Sequence, residues 1–313
     1  ITMLPKSVKI GSVATENNVF LAPLAGYTDF AFRSLCIDYG AGLTCTEMVS
    51  ANGLLYNSRA TKELLYTAPN EKIRCAQLFG SDPALMKEAL LHEDLAPFDV
   101  VDVNMGCPVP KIFNNGAGSA LLNDLPKAEK ILSAMCSTGR NVTVKIRLGT
   151  ERGKSVAVEF AKMAEGAGVK LIAVHGRYRP DYYAGEPDFG EIARVKNAVN
   201  IPVIANGGIF SRADAETMME KTGADGVMLA RGALAKPCLF SEILGREYVF
   251  DLYAAVSRQL ELLKTRFDDK RIAVNFRKVM PQYLKGVACD RRIRLAFTQV
   301  NSTAEILSLL KEV

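Results

Sequence analysis

Phe98-Asp99-Val100-Val101-Asp102-Val103-Asn104 and Val142-Thr143-Val144-Lys145-Ile146-Arg147-Leu148 are short runs rich in β-branched residues, each carrying polar side chains toward its end. Between them lies a longer stretch of helical period, 125–137. The alternation starts at Val19 and predicts strands over 19–22, 43–48, 73–79, 98–104, 142–148, 171–175, 201–206 and 226–230. Helices are expected at 82–95, with Asp82 as N-cap before Pro83, and at 125–137, 155–167 and 211–222. Strands and helices alternating in this way specify parallel strands with crossover connections, and eight such units fit one closed (β/α)8 TIM barrel of the α/β class. An open doubly wound sheet fits less well. The turn after the first strand, Ala22-Pro23-Leu24-Ala25-Gly26, lacks the glycine pattern that lets a dinucleotide approach the backbone.

Ahead of the first strand, Val8-Lys9-Ile10-Gly11-Ser12-Val13 followed by Asn17-Asn18 reads as a hairpin closing the barrel floor. After Pro237 the strand pattern stops, and amphipathic helices are expected at 251–265 and 302–312. The expected organisation is therefore a barrel over 1–240 and an all-helical domain over 241–313.

A chain of 313 residues, 49% apolar and 23% charged, is long enough for a barrel with an appendage. No apolar run is long enough to span a membrane and no secretory leader pattern opens the chain, so the expectation is a cytoplasmic protein with no membrane contact; a monomer is also expected. Seven cysteines (Cys36, Cys45, Cys75, Cys107, Cys136, Cys238 and Cys289) are scattered singly, without the paired spacing of a metal site. They are expected to be reduced, with no metal bound, and most read as small core residues. The formal charge is +5, and residues 241–313 supply most of it, with 13 Lys/Arg against 9 Asp/Glu. Such a surface favours a polyanionic partner, although a solvated helical face has the same composition.

In barrels of this type the working residues sit at the C-terminal ends of the strands. Gln77, Asn104, Cys107, Lys145, Arg147, His175, Arg177 and Asn206 all fall there, and Glu47 is the one evident carboxylate. A hydrolase with paired acids is therefore disfavoured, and the many donors imply a polar ligand. Asn206-Gly207-Gly208 and Ala230-Arg231-Gly232, after the seventh and eighth strands, place backbone N–H groups and a guanidinium where phosphate commonly binds. Cys107 lies in a proline-stiffened loop, Asn104-Met105-Gly106-Cys107-Pro108-Val109-Pro110-Lys111. The chain has two histidines, His92 and His175, so a Cys–His nucleophilic pair is open only through His175, and the thiol is equally suited to act as a general acid.

These motifs resemble those of the tRNA-dihydrouridine synthases, flavin enzymes of the TIM-barrel class, and most closely their bacterial B-type branch. Leu21-Ala22-Pro23-Leu24-Ala25-Gly26-Tyr27-Thr28-Asp29 is similar to the family's opening loop under the flavin. Asn104-Met105-Gly106-Cys107-Pro108 with Gly116-Ala117-Gly118-Ser119-Ala120-Leu121-Leu122 resembles its catalytic loop. Val174-His175-Gly176-Arg177 and Ile204-Ala205-Asn206-Gly207-Gly208-Ile209 resemble its strand-six and strand-seven signatures.

The resemblance implies FMN on the barrel top, contacted by Pro23, Leu24, Ala25, Gln77, Lys145 and His175, with its phosphate on Asn206, Gly207, Gly208, Ala230 and Arg231. It further implies NADPH as reductant, hydride delivery to C6 of a uracil ring in tRNA, and Cys107 as proton donor to C5. Lys145 would hold the flavin, while Asn104, Arg177 and Lys111 would face the substrate. A target uridine must leave its stack to react, which calls for an RNA-docking surface. Arg277, Lys278 and Arg292, interleaved with aromatics in the tail, resemble the family's RNA-contacting stretch.

Three departures stand out. Leu24 replaces the family's usual Met, Gly208 replaces its Asp, and the chain contains no Trp. An FMN-dependent dihydroorotate or dihydropyrimidine dehydrogenase would share the barrel and the C5–C6 chemistry, but a free pyrimidine needs no basic helical tail. An RNA-binding protein without catalysis would not need Cys107 and Lys145.

Overall fold

The computed structural model describes residues 4–313. Eight parallel strands close into a barrel: β1 Val19–Leu21, β2 Leu43–Ser50, β3 Cys75–Phe79, β4 Val100–Met105, β5 Asn141–Arg147, β6 Ile172–His175, β7 Val203–Asn206 and β8 Gly226–Leu229. Each pairs with its neighbours in sequence, and β8 returns to β1 with Val227 opposite Val19. All eight expected strands form, within two residues at either end.

The alternation along each strand sorts the side chains into two cores. Phe20, Cys45, Cys75, Val100, Ala173, Ile204 and Met228 fill the barrel interior. The N-terminal hairpin, Lys9–Ile10 against Val13–Ala14, adds Val8 and Ile10 to that cluster and so plugs the floor. The opposite faces, among them Val101, Val144, Val174 and Leu229, pack under the outer helices.

Helix starts follow the sequence closely. Asp82, Asp124, Asp251 and Ser302 each accept a backbone N–H from the first turn of their helices. The expected 82–95 helix is divided into Pro83–Leu90 and a 3-10 turn at Glu93–Leu95, because the His92 ring takes the Asp94 N–H and restarts the chain. The charged stretch containing Arg277 and Lys278 is a 15-residue helix, Asp269–Tyr283, with Pro281 in its last turn.

One hydrophobic cluster runs unbroken from the barrel helices into the C-terminal helices. Phe30, Tyr66 and Phe267 form an aromatic triad with ring centroids 5.9–6.3 Å apart, and Phe32 meets Tyr283 edge-on at 6.4 Å. At its heart the fully buried Arg33 binds Glu71 through two contacts of 3.1 Å and donates to the carbonyls of Thr28 and Tyr66. The β1 loop is thus pinned from beneath, while the helices approach it from the side.

Candidate active site at the barrel mouth

Parallel pairing carries polar residues of successive strands into register. Gln77 lies opposite Asp102, Asn104 opposite Lys145, Arg147 opposite His175, and His175 opposite Asn206. They gather at a mouth cavity of about 450 Å3, a size suited to a cofactor or small ligand. Pro23, Leu24, Ala25, Gln77, Asn104, Cys107, Lys145, His175, Arg177, Asn206, Gly207, Gly208, Ala230 and Arg231 all line it.

Cys107 is held at both ends of its peptide. Asn104 Oδ1 accepts its backbone N–H at 2.9 Å, and its carbonyl accepts from the Ser119 hydroxyl at 2.8 Å and the Ser119 N–H at 3.1 Å. Asn104 is set in turn, because its amide donates to Gln77 Oε1 at 2.9 Å and Gln77 donates to Asp102 at 2.7 Å. Thr143 completes the chain with a 2.7 Å bond to the other Asp102 oxygen. Burial pushes the Asp102 carboxyl upward, opposed by the Gln77 and Thr143 bonds and by the charge on Lys145. Burial likewise raises the Cys107 thiol, against a Val109 backbone bond and the charges of Arg147 and Lys145. At neutral pH the sulfur therefore carries its proton.

The charge balance of the mouth is one-sided. Lys145, Arg147, Arg177, Arg231 and Lys285 line it, and among the described residues no Asp or Glu does. Burial, with the nearby Arg147, holds Lys145 down to about 8. Burial and the surrounding cations, Lys145 first among them, keep His175 well below its usual range and therefore neutral. Lys145 donates to Asn206 Oδ1 at 3.0 Å, while Asn206 donates to the Met228 carbonyl at 2.7 Å. The next two residues, Gly207 and Gly208, have φ of 123° and 68°. A Cβ on Gly207 would lie 3.0 Å from both Arg177 Nη1 and His175 Cδ2, so the turn demands glycine and leaves its backbone open to a ligand. Arg231 lies over the rings of Tyr183 and Phe210 at 4.6 and 5.6 Å, a cation on an aromatic shelf.

Other expected residues sit elsewhere or are already engaged. Arg177 is buried, contacts His175 Nε2 at 3.0 Å and ties down the carbonyls of Ala184 and Gly185, so it braces the loop over the mouth. Lys111 is exposed on the short helix Pro110–Phe113, outside the cavity lining. Arg277 binds the Val300 carbonyl and Asn301 Oδ1, both at 2.9 Å. Lys278 rests over the Tyr27 ring at 5.6 Å, and the Arg292 side chain is 94% exposed. The reading of strand ends missed Asp102, although a carboxylate inside an apolar strand is itself a signal. It also missed Tyr182 and Tyr183, which line the mouth from an irregular loop with no periodicity to mark them. Among the described residues, no cluster of His, Cys, Asp or Glu could hold a metal, and no helix is long and apolar enough to cross a membrane.

A closed parallel barrel whose mouth joins a thiol to a surplus of cations has the architecture of a TIM-barrel enzyme. The chain belongs to the dihydrouridine synthase family. The family model described as Dihydrouridine synthase (Dus) matches residues 20–313. The tRNA-dihydrouridine synthase B of Pseudomonas aeruginosa is 42% identical over 237 residues, 75% of this chain and 71% of the relative. Among solved structures, morphinone reductase superposes with a TM-score of 0.59 at 15% identity, covering 79% of this chain and 91% of that one. The 6-hydroxypseudooxynicotine amine oxidase of Pseudomonas geniculata gives 0.60 at 16% identity, covering 77% of this chain, which spans about half of that protein's length (49%). These two likenesses bear on the fold.

Proposed function

We propose that this chain reduces the C5–C6 bond of uridines in tRNA to 5,6-dihydrouridine, as a flavin-dependent oxidoreductase using FMN and NADPH. The observation that carries the reading is the mouth itself, where five Lys/Arg and no carboxylate surround a thiol that keeps its proton. The residues fit FMN on two grounds. A crowd of cations without a counter-ion calls for a multiply charged anion, and Gly207-Gly208 beside Arg231 offers bare backbone and a fork donor for a phosphate. Asn206 and Ala230 would complete that phosphate site. Pro23, Leu24, Ala25, Gln77, Lys145 and His175 would hold the ring system.

A flavin held there and reduced by NADPH would supply a hydride to C6 of the uracil. The electron pair of the C5–C6 double bond then moves to C5, and the Cys107 thiol gives C5 its proton, leaving a thiolate that solvent reprotonates. Arg147 and Lys145 stabilise that thiolate once it forms, while burial keeps the thiol protonated until it is needed. His175, held neutral, can hydrogen-bond without adding charge. Residues 1–240 would thus catalyse, and the basic region 241–313 would dock the tRNA.

The test is to incubate purified protein with FMN, NADPH and unmodified tRNA, and to map dihydrouridine by nucleoside mass spectrometry. A protein that takes up FMN and oxidises NADPH, yet leaves every uridine unchanged, would overturn the proposal.

A further inference from the structure

The loop from Leu24 to Tyr27 is a partition between two cavities. Ala25 and Tyr27 line the mouth, whereas Gly26, between them, lines a second cavity of about 520 Å3 bounded by β2, the short helix Arg59–Glu63 and the helix Asp269–Tyr283. Its walls are largely apolar, with Phe30 and Phe267 among them, and Asp29 and Glu63 line it beside Glu47, Asp29 accepting the Phe32 N–H and Glu63 held by Arg59 and Arg271. Glu47 stands in it half-buried, with one carboxylate oxygen accepting the Gly26 N–H. Among the described residues, its second oxygen meets no donor within hydrogen-bond distance, and the Arg33 and Lys278 charges act on it only from beyond ion-pair range. Arg271, also in the wall, is already committed to Glu63 at 2.5 Å and lies over the Phe267 ring at 4.2 Å. The side chain of Asn275, likewise in the wall, has no hydrogen-bond partner among the described residues. On the crest of the partition the ammonium of Lys278 lies against Gly26, where an added Cβ would come within 2.5 Å of it.

A carboxylate that keeps acceptor capacity on both oxygens, set in the wall of a largely apolar cavity, selects a ligand with adjacent N–H donors on one edge. Of the four RNA bases guanine alone fits that description. Adenine and cytosine set an acceptor beside their amino group, and uracil flanks its single N–H with two carbonyls, which a carboxylate repels. Because the cavities share one turn of chain, a strand that inserts a base into the mouth brings a neighbouring nucleotide to the second cavity, with its phosphate near Lys278. We infer that the second cavity binds a guanine base next to the reacting uridine, its Watson–Crick edge on Glu47. The inference rests on the RNA-reductase reading above and deepens it: Glu47 would make the enzyme choose its uridine by the company it keeps.

The experiment measures binding of three labelled RNA hexamers to the FMN-loaded enzyme by fluorescence anisotropy: all-uridine, uridine with one central guanosine, and the same with inosine. The guanosine hexamer should bind roughly tenfold more tightly than the all-uridine one, with inosine between them for want of the second donor. Glu47→Gln should remove the preference. Ala60→Trp, which fills the cavity from the Arg59–Glu63 helix and leaves the carboxylate intact, should remove it too and serves if Glu47→Gln fails to fold. Equal binding of the three hexamers, or a preference that survives in the folded variants, overturns the inference while leaving the reductase reading standing. Failure to bind any hexamer or tRNA would instead sink both readings.

Discussion

Gln77 donates its side-chain amide to a carboxylate oxygen of Asp102 at 2.7 Å, and this bond decides which end of the amide faces Asn104. Both Asp102 oxygens accept, one from Gln77 and the other from Thr143, so the Gln77 carbonyl turns to the Asn104 amide, and the Asn104 carbonyl to the N–H groups of Gly106 and Cys107. A buried acid with no place in the chemistry thereby orients the loop that bears the thiol. Asp102→Asn can present a donor where an acceptor was needed and should scramble both amides. The expected result is a kcat reduced about 10- to 100-fold with little change in KM for tRNA, read from steady-state kinetics. Undiminished kcat would show that the loop holds itself.

Cys107→Ala should separate the two halves of the reaction. NADPH should still bleach the bound flavin at the wild-type rate in stopped flow, because no proton donor to uracil is needed there. Dihydrouridine formation should fall by at least about 100-fold. Product at the wild-type rate would remove the thiol from the mechanism.

The pH dependence of FMN affinity should report on Lys145. In the free protein burial and Arg147 hold this ammonium down to about 8. The negative charge that FMN brings into the cavity favours the charged form of Lys145, so the bound state titrates higher. Affinity should therefore be level below pH 8 and weaken as the pH rises beyond it, as the free protein sheds the proton that the complex retains. Lys145→Met should bind FMN more weakly at pH 7 and lose the decline above pH 8, measured by fluorescence titration. A decline of unchanged shape would assign the proton elsewhere.

Arg33 and Glu71 meet in the interior with almost no solvent contact. Glu71→Leu would strand a buried guanidinium, and urea denaturation should show a loss of about 3–5 kcal/mol. Replacing both residues with apolar ones should recover much of that loss, since the desolvation cost disappears with the charge. A single variant as stable as the parent would mean that water reaches Arg33.

The basic tail divides by what each cation already holds. Lys278→Ala and Arg292→Ala should each lower the slope of log affinity for tRNA against log salt by about one, as expected when an exposed cation neutralises one phosphate. Arg277→Ala should chiefly loosen the C-terminal helices, because its guanidinium is spent on Val300 and Asn301. Its effect should appear in thermal melting before it appears in the salt slope.

The barrel was legible because each strand is a compact apolar run, with β-branched residues repeatedly ending at a polar group, and the parallel register then aligns those groups without further information. Hence Gln77, Asn104, Lys145, His175 and Asn206 could be assigned to one mouth from order alone. What the linear pattern could not convey was allegiance. Arg277 and Lys278 are adjacent in a basic stretch, yet one turns inward to a carbonyl and the other out over Tyr27. The helix that carries them was hidden by interspersed charges and by Pro281. Glu47 and Gly26 belong to different strands, and no spacing rule predicts that one will hold the other.

The barrel closes by pairing β8 with β1, and Asn18 reaches the Asp225 carbonyl across 207 residues of chain. On the ribosome, β1 therefore emerges with an exposed edge that cannot be satisfied until nearly all of the barrel has been translated. The C-terminal helices that cover Phe30 and Phe32 arrive later still. Message truncated after Thr222 would yield an open, sticky sheet in place of a smaller enzyme, and the nascent chain has reason to depend on chaperones for most of its synthesis.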